Sequence, residues 1–425
     1  MKVEVFPSAI AGSISIPGSK SLAQRLVAGA LLAKGETTLH HFPESKDCQA
    51  ALNMAQALGA VVVKTGHSVS IRGGFPNSAE SGIRNPKRQL NGGESGLASR
   101  LFIPIAALYD EPITISGTGS LLDRPFQEYE KALPQLGVRV KSNNGFLPIT
   151  VTGPMKGGKA QLDGSLSSQF LTGLLFAAPL CSENVELEVG DLKSIPYVDL
   201  TLEVLAFFGV KCSRKGSHLF KIGANQVYSP RTVSIDGDWS GAAFILVAAA
   251  LCSEIGVRIS NLSSDFTQAD TAILDALRLA GVSVRTSKGI EVRKSTVRAF
   301  EFDATDCPDL FPPLVVLAAV GDGVTTIKGV HRLIHKESNR AKALVDEFAK
   351  ANIRILIRDD EMKIYPGHIR PANINSHNDH RIAMAGAVLG LVGDKMTIAG
   401  AECVAKSYPN FWTDLEALGA RINIK

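Results

Sequence analysis

The stretch Pro17–Leu39, PGSKSLAQRLVAGALLAKGETTL, sets a glycine and two serines directly ahead of an apolar run, with an arginine one helical turn past the second serine. Gly18 permits a tight turn and Ser19 or Ser21 can act as N-cap, which predicts a helix starting near residue 20. Such a start points free backbone N–H groups and a partial positive charge forward. Ser21 and Arg25 are four apart and share one face, and Lys20 stands at the mouth, so the segment is built like an anion site. The plainer alternative is a capped surface helix with two solvated cations. A nucleotide P-loop is excluded, because Gly12 and Ser13 fall in the wrong register for the first glycine of G-x-x-x-x-G-K-[ST].

The same design recurs. GGESGLASRLFIPIAALYDEPITI (92–115), DGSLSSQFLTGLLFAAPLCSENVELEV (163–189), DGDWSGAAFILVAAALCSEIGVRI (236–259), DCPDLFPPLVVLAAVGDGVTTI (306–327) and NDHRIAMAGAVLGLVGDKMTI (378–398) each open polar, continue as a small-residue apolar helix and end in a β-rich run. Their starts lie roughly 70 residues apart, one supersecondary unit used repeatedly. Each copy is followed by an amphipathic helix and a β-branched strand, as in CQAALNMAQALGAVVV (48–63) and NRAKALVDEFAKANIRIL (339–356). The opener helices are apolar nearly all round and therefore buried, while the second helices are wet on one face. The expected architecture is α/β with six βαβαββ-like units, helices inside and sheets outside, three units to a domain. The sixth unit ends at the C-terminus, so the strands MKVEVF and SISI are expected to return and complete its domain. One domain is expected over 18–232, the other over 1–17 and 233–425. With every buried helix starting at a polar opener, the helix N-termini of both domains can face one cleft.

Composition narrows the partners. Of 425 residues, 45% are hydrophobic, and 45 cations nearly balance 41 anions for a net charge of +4. No basic tract suits non-specific nucleic-acid binding, and the longest apolar stretch, GAAFILVAAALC, is too short to span a bilayer. The six cysteines form no C-x-x-C pair, which fits reduced thiols in a cytoplasm. His331/His335 and His377/His380 have helix-like spacing for a metal but lack an accompanying ligand set.

Taken together, the openers and the short connections LLDRP, HKESNR and VAKSYP supply Lys20, Arg25, Arg100, Arg124, Lys336, Arg340, Arg381 and Lys406, with neutral donors in SLSSQF (Ser167, Ser168, Gln169) and KSIPY (Ser194, Tyr197). So many cations meeting in one cleft require anions of comparable charge, such as two phosphorylated, carboxylated metabolites. Carboxylates able to move protons are few, namely Asp309 and Glu337. Any one of these residues could be a solvated cation, a cap or a structural ion pair; their recurrence at equivalent places argues for a site.

The segments PGSKSLAQR, GESGLASR, DRP, SLSSQFLTGLLFAAPL, SIPYVDLTL, CPDLFPPL, HKESNR, NDHRIAMA and AKSYPNFW, in this order and spacing over essentially the whole chain, resemble the 5-enolpyruvylshikimate-3-phosphate synthase (3-phosphoshikimate 1-carboxyvinyltransferase) family. The resemblance implies an inside-out α/β fold of two three-unit domains closing over 3-phosphoshikimate and phosphoenolpyruvate. By the same resemblance, Ser21 and Arg25 take the shikimate carboxylate, and Ser167, Ser168, Ser194 and Lys336 surround its phosphate. Gln169 and Tyr197 line that pocket, with Arg332, Asp309 and Lys20 beside the same substrate. Lys20, Gly96, Arg124, Gln169, Arg340, Arg381 and Lys406 clamp phosphoenolpyruvate. Asp309 and Glu337 match the two carboxylates of proton transfer, with Lys20 a further candidate. The implied reaction is addition then elimination through a tetrahedral intermediate. It needs no metal or organic cofactor, because the cations supply charge stabilisation. A monomer acting in the cytoplasm, without nucleic acid or membrane, is expected.

The chain also departs from the family pattern. Glu94, Ser95, Gly96 and Leu97 stand where many members have Asn-Ala-Gly-Thr, and an acid beside a phosphate pocket weakens anion binding unless an arginine neutralises it. Arg332 replaces a common Asn, Asn339 replaces the Asp of KESDR, and Trp239 is bulky for its opener. The rivals are a UDP-N-acetylglucosamine enolpyruvyl transferase, whose reactive cysteine has no counterpart in GTGSLLDRPF, and a non-catalytic phosphometabolite-binding relative, against which Asp309 and Glu337 argue.

Overall fold

The computed structural model describes residues 1–74, 88–263, 265–286 and 289–425. The chain forms two compact units. The first comprises Gly18–Asp236 with Ser264–Thr267; the second comprises Met1–Pro17, Gly237–Ser263 and Gln268–Lys425.

The first unit carries helices α1 (Lys20–Leu32), α2 (Lys46–Ala57), α3 (Gly96–Ala106), α4 (Gln127–Gln135), α5 (Gln169–Ala177) and α6 (Ile195–Phe207). The second carries α7 (Trp239–Cys252), α8 (Ile273–Leu279), α9 (Phe311–Ala319), α10 (Arg340–Lys350), α11 (His380–Val392) and α12 (Phe411–Ala417). Burial follows the sequence pattern. Every residue of α3 is buried, and α7 is buried throughout except at Ser240. These helices have no polar face to offer water, so they must be surrounded. Each Phe, Ile or Leu they bury stabilises the fold by about 2 kcal/mol. α10 is two-sided instead: Ala341, Leu344 and Phe348 face inward, and Lys342, Asp346 and Lys350 face water. Within each unit, therefore, the apolar helices occupy the interior, the inside-out α/β arrangement.

Among the described residues six four-stranded sheets cover them, sharing one spatial order of strands. A strand ahead of a buried helix pairs parallel with the strand after it, as Gly158–Asp163 does with Val185–Gly190 around α5. A hairpin then adds two antiparallel strands, here Leu219–Ile222 and Cys212–Lys215. Two sheets exchange their first strand. Gly12–Ser15 leads into α1 but pairs with Val257–Ser260 of the second unit's sheet, with Gly12 opposite Val257. Reciprocally, Thr232–Ser234 leads into α7 but pairs with Gly35–His40, with Thr232 opposite Thr38. Both N-terminal strands thus lie in the second unit, and the chain through Asp236 stays with the first. Gly18 and Gly237 stand where the chain passes from one unit to the other. A Cβ there would come within 2.5 Å of the His41 carbonyl and 2.2 Å of the Asn261 carbonyl, respectively, so only glycine lets the backbone through. No helix among the described residues is long and apolar enough to cross a membrane.

Candidate active site

In the first unit the polar openers come together at one end of the buried helices. Ser19 caps α1 through Leu22 N, and Ser95 caps α3 through Ala98 N. Ser95 Oγ also donates to Gln24 Oε1 of α1 at 3.0 Å, and Arg100 Nη1 donates to Gln169 Oε1 at the start of α5 at 2.8 Å. The guanidinium of Arg100 is held between the rings of Phe126 and Phe170, each 4.9 Å from its centroid.

Arg25 is 1% exposed. Its Nε donates to Thr201 Oγ1 at 2.9 Å, Nη1 to the Ser21 carbonyl at 2.8 Å and Nη2 to the Tyr197 carbonyl at 3.2 Å. All are neutral acceptors, so among the described residues a buried cation stands with no carboxylate beside it. Burial lowers its pKa to about 10, which leaves it charged at neutral pH. A charge placed this way is stabilised when an anion arrives. Ser21 meets Arg25 through its carbonyl. Ser167 Oγ accepts from Gln169 N, and Ser168 stands at the N-cap position of α5 without capping it through its side chain. Ser194, buried ahead of α6, holds a left-handed backbone (φ +56°), a strained conformation for serine that concentrates at functional positions. Tyr197 follows one turn on, with its ring half-buried.

Gly96 opens α3. A Cβ there would lie 2.9 Å from Arg124 Nη1, 3.3 Å from Arg100 Nη1 and 3.7 Å from Gln169 Oε1, so the missing side chain leaves a niche walled by two guanidinium groups and an amide. Glu94 turns its carboxylate to Ser120 N at 3.3 Å and Ser120 Oγ at 3.4 Å, and Arg124 Nη2 reaches the same hydroxyl at 3.4 Å. The acid thus fixes the loop that carries Arg124. Lys20 Nζ pairs with Asp47 Oδ2 at 3.1 Å, with both side chains little exposed.

In the second unit, charges gather around the tips of α10 and α11. Asp309 Oδ1 accepts from Arg340 Nη1 at 2.8 Å and pairs with Lys336 Nζ at 3.5 Å, and its Oδ2 accepts from Arg381 Nη2 at 2.9 Å. Burial raises the Asp309 carboxyl, but Arg381, Lys336 and Arg340 together outweigh it and hold its pKa well below the usual carboxylate range. Arg340 is wholly buried and also grips Glu337 Oε2 at 2.6 Å and Asp379 Oδ2 at 2.9 Å. Burial alone would lower Arg340; Asp379, Glu337 and Asp309 raise it above the ordinary value. Burial lowers Lys336, with Asp309 opposing and Arg340 and Arg332 adding to the fall. Lys406 Nζ donates to the Asn378 carbonyl at 2.6 Å, beside the start of α11. Arg381 Nη1 is shut off from water and has no hydrogen-bond partner among the described residues.

Two of the departures, Asn339 and Trp239, have local explanations. Asn339 caps α10 through Lys342 N at 3.1 Å, a part that needs an oxygen and not a charge. Trp239 donates its indole N–H to the Ser263 carbonyl at 3.3 Å and is otherwise packed away. Two carboxylates in these clusters, Asp47 and Asp270, were not singled out by sequence, whereas Asp379-His380-Arg381 reads from sequence as a structural ion pair. An aspartate just ahead of or within a first helical turn reads as a cap, and Asp379 is one, accepting from Arg381 N at 2.9 Å. One histidine of each pair is engaged by a carboxylate, His331 by Asp360 at 2.8 Å and His377 by Glu347 at 2.7 Å.

Two three-unit α/β bodies, each presenting buried cations where its helices begin, make up the framework of an enzyme that handles small polyanions. The chain matches the family model for EPSP synthase (3-phosphoshikimate 1-carboxyvinyltransferase) over residues 6–415, and it belongs to that family. It is 36% identical over 425 residues to the 3-phosphoshikimate 1-carboxyvinyltransferase of Clostridium kluyveri, covering 99% of this chain and 98% of the relative. It is likewise 36% identical to the enzyme of that name from Methanocorpusculum labreanum, with 99% of each covered. The EPSP synthase structure from Acinetobacter baumannii superposes with a TM-score of 0.83 over the whole of both chains at 24% identity. The enolpyruvyl transferase NikO from Streptomyces tendae superposes at 0.77 with 17% identity, over 99% of this chain and 98% of the other. At those identities the likeness is one of fold.

Proposed function

We propose that the chain transfers the enolpyruvyl group of phosphoenolpyruvate to the 5-hydroxyl of 3-phosphoshikimate, releasing phosphate. One observation carries the reading: a single carboxylate, Asp309, contacts three cations, Lys336, Arg340 and Arg381, at the start of two helices. The cations hold anions and the carboxylate moves a proton.

Arg25 with Ser21 takes the shikimate carboxylate, for which its lack of an acidic partner suits it. Ser167, Ser168, Ser194 and Lys336 take the 3-phosphate, and Gln169, Tyr197 and Arg332 border it. Lys20, Arg124, Arg340, Arg381 and Lys406 clamp phosphoenolpyruvate, with the niche at Gly96 leaving room for its phosphate. While Lys336, Arg340 and Arg381 face Asp309 it is a weak base. As incoming anions draw Arg381 and Lys336 away, the carboxylate regains basicity. Asp309 then draws the 5-hydroxyl proton as that oxygen attacks C2, and Glu337 or Lys20 delivers a proton to C3. The tetrahedral adduct loses phosphate from C2 and a proton from C3, which restores the enol ether. The cations stabilise the charge shifted onto the phosphate, the largest contribution to such a step.

The product decides the reading. Mass analysis of an incubation with both substrates should find 3-phosphoshikimate enlarged by one enolpyruvyl group. Enlargement of UDP-N-acetylglucosamine under the same conditions, with 3-phosphoshikimate unchanged, would overturn it.

A further inference from the structure

One carboxylate of the second unit takes no part in that mechanism although it lies within the same charge network. Asp270 sits in the short turn Ala269–Ala272 ahead of α8 and is 2% exposed. Gln268, two residues earlier, donates to the Gly237 carbonyl at 2.9 Å and accepts from Trp239 N at 3.3 Å, so the turn is fastened to the tip of α7. Ser240 Oγ donates to Asp270 Oδ2. The other oxygen, Oδ1, is shut off from water and has no hydrogen-bond partner among the described residues.

The groups facing Asp270 are Asp238 and Ser240 from the tip of α7, Asp309 and Cys307 from the segment ahead of α9, and Arg381 from α11. Arg381 carries the complementary orphan, Nη1. An acceptor and a donor, each bare and each buried, thus sit in one network, yet the guanidinium pairs with Asp309 and not with Asp270. Leaving both unmade is costly to the fold, unless a ligand completes the set.

We propose that Asp270 is a positioning residue for the Arg381 end of the phosphoenolpyruvate clamp, its charge setting how firmly that guanidinium takes an anion. This rests on the reading that Arg381 holds phosphoenolpyruvate. Burial and the neighbouring Asp309 push the Asp270 carboxyl up to about 7, against the pull of Arg381 and the Ser240 hydroxyl. Protonated, it leaves Arg381 Nη1 to the substrate. Ionised, it is a second anion behind the guanidinium and repels the one arriving in front. A bound anion raises Asp270 in turn, so proton and substrate favour each other's binding by the same factor.

The test is KM for phosphoenolpyruvate at saturating 3-phosphoshikimate, measured on both sides of the Asp270 transition, at about pH 6 and about pH 8.5, in the unaltered chain, Asp270→Asn and Ser240→Ala. The substrate's own ionisation is common to all three and cancels in the ratios. Asp270→Asn should match the unaltered chain at the lower pH and show a KM about tenfold lower at the higher, the equivalent of one pKa unit of coupling. Ser240→Ala, which deletes the hydroxyl favouring the ionised form, should move the rise in KM to higher pH. A ratio of KM values for Asp270→Asn that is the same at both pH values overturns the proposal, whether that variant is silent or uniformly weaker. Should Asp270→Asn not fold, a Ser240→Ala profile superimposable on the unaltered one overturns it just as well. An Arg381→Lys variant that binds phosphoenolpyruvate with an unchanged KM in the same assay would overturn the parent reading instead.

Discussion

At the scale of single residues, the site is a matter of which buried charges have partners. Arg25 touches only neutral oxygens, Lys20 is held by Asp47, and Asp309 is shared by three cations. Lys20→Met and Arg124→Ala should each lower kcat/KM more than tenfold, because each deletes a charge-assisted contact to an enclosed anion. Near-normal turnover in both would count against the clamp. Asp309→Asn should destabilise the unliganded chain by about 3 kcal/mol at neutral pH, since Arg340 and Arg381 lose their shared carboxylate. The sign with pH follows from the lowered pKa of Asp309. Its stabilisation is complete above the unfolded value near 3.9 and is lost as pH falls through the folded one, so the variant and the unaltered chain should converge in strong acid. Urea unfolding at neutral and acid pH reads this out, and a gap that widens in acid would contradict it. The cations were legible in the sequence because they recur at helix openers. Asp47 and Asp270 were not, because a lone aspartate beside a helix start is explained by capping before any ion pair is considered.

At the scale of elements, the openers were legible because a helix apolar all round, preceded by Ser or Asp, has nowhere to go but the interior. Which strand the SISI run pairs with was not. Gly12–Ser15 and Val257–Ser260 lie more than two hundred residues apart, and both read as ordinary β runs. The repetition extends to chemistry that periodicity does not reveal. Glu128 on α4 and Glu347 on α10 are both buried, both pair with a lysine three residues on, and both accept from a strand-end backbone N–H, Asp163 at 3.2 Å and Asn375 at 2.8 Å. Close packing of the buried helices is equally exacting. A Cβ on Gly29 of α1 would lie 2.3 Å from the Phe208 ring at the end of α6. Gly29→Ala should therefore lower the unfolding free energy by about 1–3 kcal/mol despite alanine's better helix propensity. A urea midpoint unchanged or raised would mean that the ring moves aside freely.

At the scale of the whole molecule, the reading requires Lys20, Arg25 and Arg124 of the first unit and Asp309, Arg340 and Arg381 of the second to act on one pair of substrates. We propose that the units close on those ligands. Small-angle scattering should record a smaller radius of gyration with saturating 3-phosphoshikimate plus a phosphoenolpyruvate-site anion, and an unchanged profile would contradict closure. The most direct measurement is steady-state phosphate release. It should be negligible with phosphoenolpyruvate alone and rise to full turnover only when 3-phosphoshikimate is added. Equal release in the presence and absence of 3-phosphoshikimate would contradict the account.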